Sequence, residues 1–214
     1  MANELRAQEI GVDVGPRRVL EGVDLTVSAG EMVVITGPSG SGKTTLLLVM
    51  AGLQQPDRGQ VLVDGLPLEP GDQLRRRFGV VLQNHGLVSV LTAAENVAVA
   101  LQARGVERAQ VTARTEDALA AVGLADNANR LVRELSGGQR QRVGVARALV
   151  ADPEFLLADE PTSELDSERR ALVLNLLHEH AARGNIVILA SHDQTVADAA
   201  GRTLALVDGR PSQS

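Results

Sequence analysis

A chain of 214 residues with a net charge of −6 is long enough for one sizeable core and short for two independent ones. Its 44% hydrophobic and 22% charged residues exclude general disorder. The acidic balance excludes a broad basic surface for phosphate backbones, so no nucleic-acid partner is expected.

Cysteine is absent, which rules out disulfides and thiolate chemistry and fits a reducing cytoplasm. Phe78 and Phe155 are the only aromatic rings, so the core must be built from Leu, Val, Ala and Ile. Met1–Arg6 has no apolar stretch of the kind a secretory signal needs. The longest apolar runs, Leu46–Ala51 and Ile186–Ala190, fall far short of the roughly 20 residues that cross a bilayer. Membrane attachment is therefore expected only through a partner.

In chain order, the first third alternates apolar and polar residues between Gly15, Gly22, Gly30, Gly59 and Gly65. That pattern predicts short strands, tight turns and an antiparallel β layer. Within it the run Met32–Thr36 suits a strand buried on both faces, and from Ser41 the pattern turns helical, ending near Gly52. From about Ala93 to Leu149 strong helix formers dominate, with breaks predicted at Gly105, Gly123 and Gly137. This reads as a helical insertion. Phe155–Ala158 and Asn185–Ala190 return as buried strands around a helix over Ser167–Arg183, the alternation of a parallel sheet. The tail Arg210–Ser214 is expected to fray.

Gly37-Pro38-Ser39-Gly40-Ser41-Gly42-Lys43-Thr44 matches G-x-x-x-x-G-K-[ST] between a predicted strand and a predicted helix. The glycines let backbone N–H groups turn inward around phosphate oxygens, and the helix N-terminus adds partial positive charge. Lys43 is placed to bridge the β- and γ-phosphates of ATP, and the Thr44 hydroxyl to ligate Mg²⁺. Thr45 extends the binding set. A plain glycine turn would explain Gly37 and Gly42 but not Lys43-Thr44 at this offset.

Phe155-Leu156-Leu157-Ala158-Asp159-Glu160 is an apolar strand ending in two acids, an arrangement that would be costly in a core without a cation. A metal–nucleotide site supplies one. Asp159 is expected to hold Mg²⁺ and Glu160 to polarise the attacking water. The two motifs together indicate an ATPase.

Leu135-Ser136-Gly137-Gly138-Gln139, followed by the helical run Arg140–Val150, is a narrower signal and resembles the ABC signature. Its physics suits an anion site, because Ser136 caps a helix whose glycine-lined N–H groups point outward. Three further pieces stand in the order of that family: Gln83 after Phe78–Leu82, Ser163-Glu164-Leu165-Asp166 after Glu160, and Ser191-His192-Asp193 after the last strand. The resemblance covers nearly the whole chain.

It implies that Ser136, Gly137, Gly138 and Gln139 complete the site of an opposing cassette in trans. It implies too that Gln83 senses Mg²⁺ and the attacking water, that Asp166 contacts the opposing cassette, and that His192 hydrogen-bonds the γ-phosphate and orients Glu160. The stretches 82–97 and 158–162 look like the lipoprotein-release, macrolide-efflux and cell-division branch.

Two departures stand out. Family members commonly place a ring on adenine before the phosphate loop, whereas Gly11–Gly15 here has none. Val14 is then expected to offer only an apolar contact, with weaker base selectivity. Glu164 stands where many relatives have a small residue, which places an extra carboxylate near the expected dimer seam. Arg75-Arg76-Arg77 is read as a solvated loop face, His178 and His180 as histidines on a polar helical surface, and His85 as partner-facing.

The expected fold is α/β, a P-loop NTPase with a RecA-like parallel sheet, an antiparallel β layer and an inserted helical subdomain. Residues 1–84 and 150–214 would form the catalytic core and 85–149 the insertion. The expected function is the ATP-binding and ATP-hydrolysing subunit of an ABC transporter, acting in export or extraction. It would pair with a second cassette, identical or different, and lie on the inner face of the cell membrane through a separate transmembrane permease subunit. The alternative is a non-transport ATPase that signals through a membrane partner, as in cell division.

Overall fold

The computed structural model describes residues 4–69, 73–83 and 86–212. Its first part comprises β1 (Glu4–Val14), β2 (Arg17–Ser28), β3 (Met32–Thr36), α1 (Lys43–Met50), β4 (Arg58–Val63), β5 (Leu66–Pro67) and β6 (Phe78–Val81). Three helices follow, α2 (Ala93–Gln102), α3 (Arg108–Ala121) and α4 (Gly137–Leu149). The chain closes with β7 (Phe155–Asp159), α5 (Ser167–Ala182), β8 (Ile186–Ala190), α6 (Gln194–Ala199), β9 (Arg202–Val207) and β10 (Arg210–Ser212).

Two sheets form. The antiparallel one has the order β2-β1-β4-β5, and the six-stranded one the order β10-β9-β3-β8-β7-β6. From β9 to β6 all pairs in the larger sheet are parallel. The apolar run of β3 explains its central place, since alternate residues point to opposite faces. Val33 and Ile35 join a core shared with the antiparallel sheet and α1, while Met32 and Val34 join a second core. That second core is built largely from α2, α3, α4 and α5. The same division separates Phe155 and Leu157 from Leu156 and Ala158 in β7. One sheet thus holds both layers, and its strands end at the site described below.

Three sequence expectations need correction. The tail does not fray from Arg210, because β10 pairs antiparallel with β9 and Arg210 Nη2 meets Glu21 Oε2 at 2.8 Å. Arg77 is not merely solvated, because it lies between Asp64 and Glu154 at 2.7 Å from each and over the Phe155 ring. His180 is not on a polar surface, because it is 0% exposed. Its Nε2–H donates to the Pro153 carbonyl at 2.8 Å and its Nδ1 accepts from Arg183 Nη2 at 2.9 Å. The expectation for His85 falls outside the described residues.

Candidate functional site

The loop after β3 is shaped by positions that only glycine can fill. Gly37 has φ 142° and Gly42 φ 100°, both in the region that side chains avoid. A Cβ on Gly37 would stand 2.2 Å from the Leu206 carbonyl oxygen, and one on Gly42 2.7 Å from Leu20 Cδ2. Lys43, the first residue of α1, is 8% exposed, and its ammonium donates to the carbonyls of Gly37 and Pro38 at 2.8 and 2.9 Å. A cation and a helix start therefore face the same concavity, which suits an anion.

The end of β7 closes the concavity from below. Thr44 Oγ1 donates to Asp159 Oδ2 at 2.9 Å, so two of the three residues expected at the metal, Thr44 and Asp159 but not Gln83, touch. Burial pushes the Asp159 carboxyl above its ordinary value and neighbouring Glu160 adds to this, while the Thr44 hydrogen bond and the Lys43 charge oppose it. A buried carboxylate beside a hydroxyl is a hard oxygen donor pair, which fits Mg²⁺. Among the described residues, no group of three or more His, Cys, Asp or Glu forms a metal cage. A cation here would share Thr44 and Asp159 with phosphate oxygens.

Glu160 sits at φ 49°, a conformation rare for a side-chain-bearing residue. Its N–H donates to the Ala190 carbonyl at 2.9 Å, and its own carbonyl accepts from Gln141 Nε2 at 2.6 Å. These bonds hold the turn from both sides. The side chain is held as well: Oε1 accepts from the His192 backbone N–H at 3.1 Å and from His192 Nδ1 at 2.6 Å. Oε2 accepts from Ser191 Oγ at 3.2 Å. A carboxylate so fixed keeps lone-pair capacity on Oε2 for a water.

A cleft of about 610 Å³ gathers Pro38, Ser39, Gly40, Gly42, Lys43, Thr44, Thr45, Gln83, Asp159, Glu160 and His192. Gly37 and Ser41 belong to the same loop behind this lining. Ser136, Gly137, Gly138, Gln139 and Asp166 are not part of it. Ser136 caps α4, accepting from the Gln139 N–H, while the Gln139 side chain accepts from the Ser136 N–H. Asp166 caps α5 by accepting from the Arg169 N–H at 2.8 Å. The described residues thus form two stations, a nucleotide-sized cleft and, outside its lining, a capped helix start.

Residues 20–163 match the family model described as "ABC transporter". The chain belongs to the ABC transporter family.

The cassette is 43% identical over 201 residues to the taurine import ATP-binding protein TauB of Pseudomonas aeruginosa, covering 92% of this chain and 74% of that protein. It is 42% identical over 200 residues to the methionine import ATP-binding protein MetN 2 of Salmonella typhimurium, covering 91% of this chain and 59% of that protein. The chain therefore spans about three fifths of the length of its methionine-import relatives. The macrolide export ATP-binding/permease protein MacB 2 of Aeromonas hydrophila is 42% identical over 198 residues, with 90% of this chain and 31% of that protein covered.

Among solved structures, the ATP-binding cassette MJ0796, a dimer in a post-hydrolysis state with ADP and Pi, superposes with a TM-score of 0.91 at 32% identity. That match covers 98% of this chain and 97% of the other. Fold class and family agree with the sequence expectation, and the relatives include the anticipated macrolide exporter alongside importers. ABC cassettes are Mg-ATP-dependent ATPases, and this chain has the fold and motifs of one.

Sequence reasoning misses four residues of the cassette's site. The sequence assigns Ser191 no role, yet its hydroxyl holds Glu160; its place beside His192 is the available signal. Gln141 is silent in the sequence because nothing in a helical run marks one glutamine as bonded to a loop 19 residues on. Arg17 and Val19, rather than Val14, line the mouth of the cleft, while Val14 is 61% exposed. Arg17 Nη2 donates to the Gly40 carbonyl at 3.3 Å.

Proposed function

We propose that the chain is the ATP-hydrolysing subunit of an ABC transporter. It acts as a head-to-tail pair of cassettes that delivers closure to a separate transmembrane permease subunit at the inner face of the cell membrane. The observation that carries this reading is the separation of the two stations. Lys43, Thr44, Asp159, Glu160, Gln83 and His192 share one cleft, while the glycine-lined start of α4 lies outside it. A second chain bringing its own Ser136 and Gly138 would complete the enclosure.

In this reading Gly37–Thr45 cradle the triphosphate of ATP, and Lys43 exchanges its carbonyl partners for phosphate oxygens. A bound Mg²⁺ supplies charge neutralisation at those oxygens. Thr44 and Asp159 would hold it, with Gln83 at the same cleft wall. Glu160 takes the proton of the attacking water, and His192 and Ser191 orient its carboxylate. Asp166 meets the opposing cassette. Residues 1–84 and 150–214 work as the catalytic core, and 85–149 as the subdomain that carries Ser136–Gln139.

Among the described residues no helix is long and apolar enough to cross a membrane. The exposed Val88 and Val90, in the segment after Gln83, support a permease contact there. For direction, the resemblance of residues 82–97 and 158–162 to the export and extraction branch supports export or extraction.

Glu160→Gln should retain Mg-ATP and stay paired on a sizing column. A variant that remained monomeric at saturating Mg-ATP, with no second cassette type needed, would overturn the paired reading. Copurification of a large permease with a substrate path supports transport, and a small bitopic scaffold supports signalling instead.

A further inference from the structure

Gln141 is a buried polar residue, 2% exposed, whose side-chain hydrogen bonds run to one short segment of another element. Its Nε2 donates to the Glu160 carbonyl at 2.6 Å and to Ser163 Oγ at 3.2 Å, while its Oε1 accepts from the Glu164 N–H at 2.9 Å. It stands on α4, five residues after the capping Ser136.

The residue it grips is the one whose backbone is strained. Glu160 at φ 49° has an N–H bonded to the Ala190 carbonyl on the β8 side and a carbonyl bonded to Gln141 on the α4 side. A non-glycine residue keeps such a conformation only where its surroundings over-determine it. The other bonds to that carbonyl, from the Ser163 N–H at 3.3 Å and Ser163 Oγ at 3.2 Å, lie within the same segment and travel with it, so without Gln141 the turn loses its anchor on α4 and the carboxylate moves with its Cα. The Ser191 and His192 bonds hold the tip of that side chain but not its base.

We infer that Gln141 is a positioning residue for hydrolysis: its carboxamide fixes the left-handed turn at Glu160 and ties it to the helix that begins at Ser136. The inference rests on the reading of Glu160 as the base. Gln141 is buried and lies outside the cleft lining, so its effect falls on the rate of the chemical step and not on nucleotide affinity. Displacing a reacting group by about 1 Å costs on the order of 100-fold in rate.

The test is steady-state ATP hydrolysis and equilibrium Mg-ATP binding by the full chain carrying Gln141→Met, which fills the same volume without a donor. Gln141→Asn, an amide one methylene shorter, serves as a second variant should the first fail to fold. The expected result is a kcat lowered by roughly 10- to 100-fold, with KM and the Mg-ATP dissociation constant within about twofold of the parent. The pH at half-maximal rate should be unchanged, because the base is displaced but not chemically altered. Parental kcat in a folded variant, or equal losses in kcat and in binding, overturns the inference. A parental chain that binds but never hydrolyses Mg-ATP overturns the ATPase reading beneath it, so the two failures are distinguishable.

Discussion

The hydroxyl of Thr44 and the carboxylate of Asp159 are joined by a 2.9 Å hydrogen bond across 115 residues of sequence. The start of α1 and the end of β7 thereby share one polar contact beneath the phosphate loop. Removing the charge while keeping the shape, Asp159→Asn, should weaken the Mg²⁺ dependence of hydrolysis by at least about tenfold, as read from a magnesium titration of the ATPase rate. Lys43→Ala should abolish ATP binding in equilibrium measurements. Retention of parental affinity in that variant would remove Lys43 from the site.

Glu164 offers a second test. A Cβ on Gly137 would lie 1.7 Å from Glu164 Oε2, so this carboxylate rests against the first turn of α4. A negative charge there favours the helix start by about 0.3–1 kcal/mol and competes with any other anion for it. Glu164→Ala should therefore raise the ATP-dependent hydrolysis rate by about two- to fivefold, and an unchanged rate removes the role.

Base selectivity should be weak. The cleft mouth presents Arg17 and Val19, and both aromatic rings of the chain stack on each other in the core, 4.9 Å apart. Ring stacking contributes about 1 kcal/mol, so GTP should displace ATP with an inhibition constant within about tenfold of the ATP dissociation constant. Discrimination much beyond this would mean that another element reads the base.

His180 makes stability depend on pH. Burial lowers its pKa, and the Nδ1 that accepts from Arg183 has no room for a proton. Above the ordinary histidine value of about 6.5 neither folded nor unfolded chain is protonated there, and the contribution is complete. Below it the unfolded chain takes up a proton that the folded chain refuses, so stability falls until the lowered folded pKa is reached. His180→Gln keeps a donor for the Pro153 carbonyl and should flatten the melting temperature between about pH 6.5 and the carboxylate range. An equally steep dependence in the variant would assign it elsewhere.

Much of this was legible in the chain because its signals were local. Met32–Thr36 is apolar at every position but the last, which only a strand covered on both faces tolerates, and Ser136 with Gln139 spells a capping box. The burial of His180 is masked in the sequence by its polar neighbours, His178 and Glu179. Counting helical turns from Val173 through Leu177 would have put it on the buried stripe. Strand β10 depends on neighbours far away, β9 and Glu21, and its short polar run carries no trace of them. The grip of Gln141 on Glu160 is likewise a tertiary fact. The separation of cleft and signature could be anticipated only through the family resemblance.

With Phe78 and Phe155 sealed together and neither tryptophan nor tyrosine elsewhere, the protein is nearly silent in near-ultraviolet emission. One tryptophan introduced at the exposed Val90 would shine against an empty background. Binding of any tryptophan-free partner over Val90 could then be followed by light from a single reporter, without dyes.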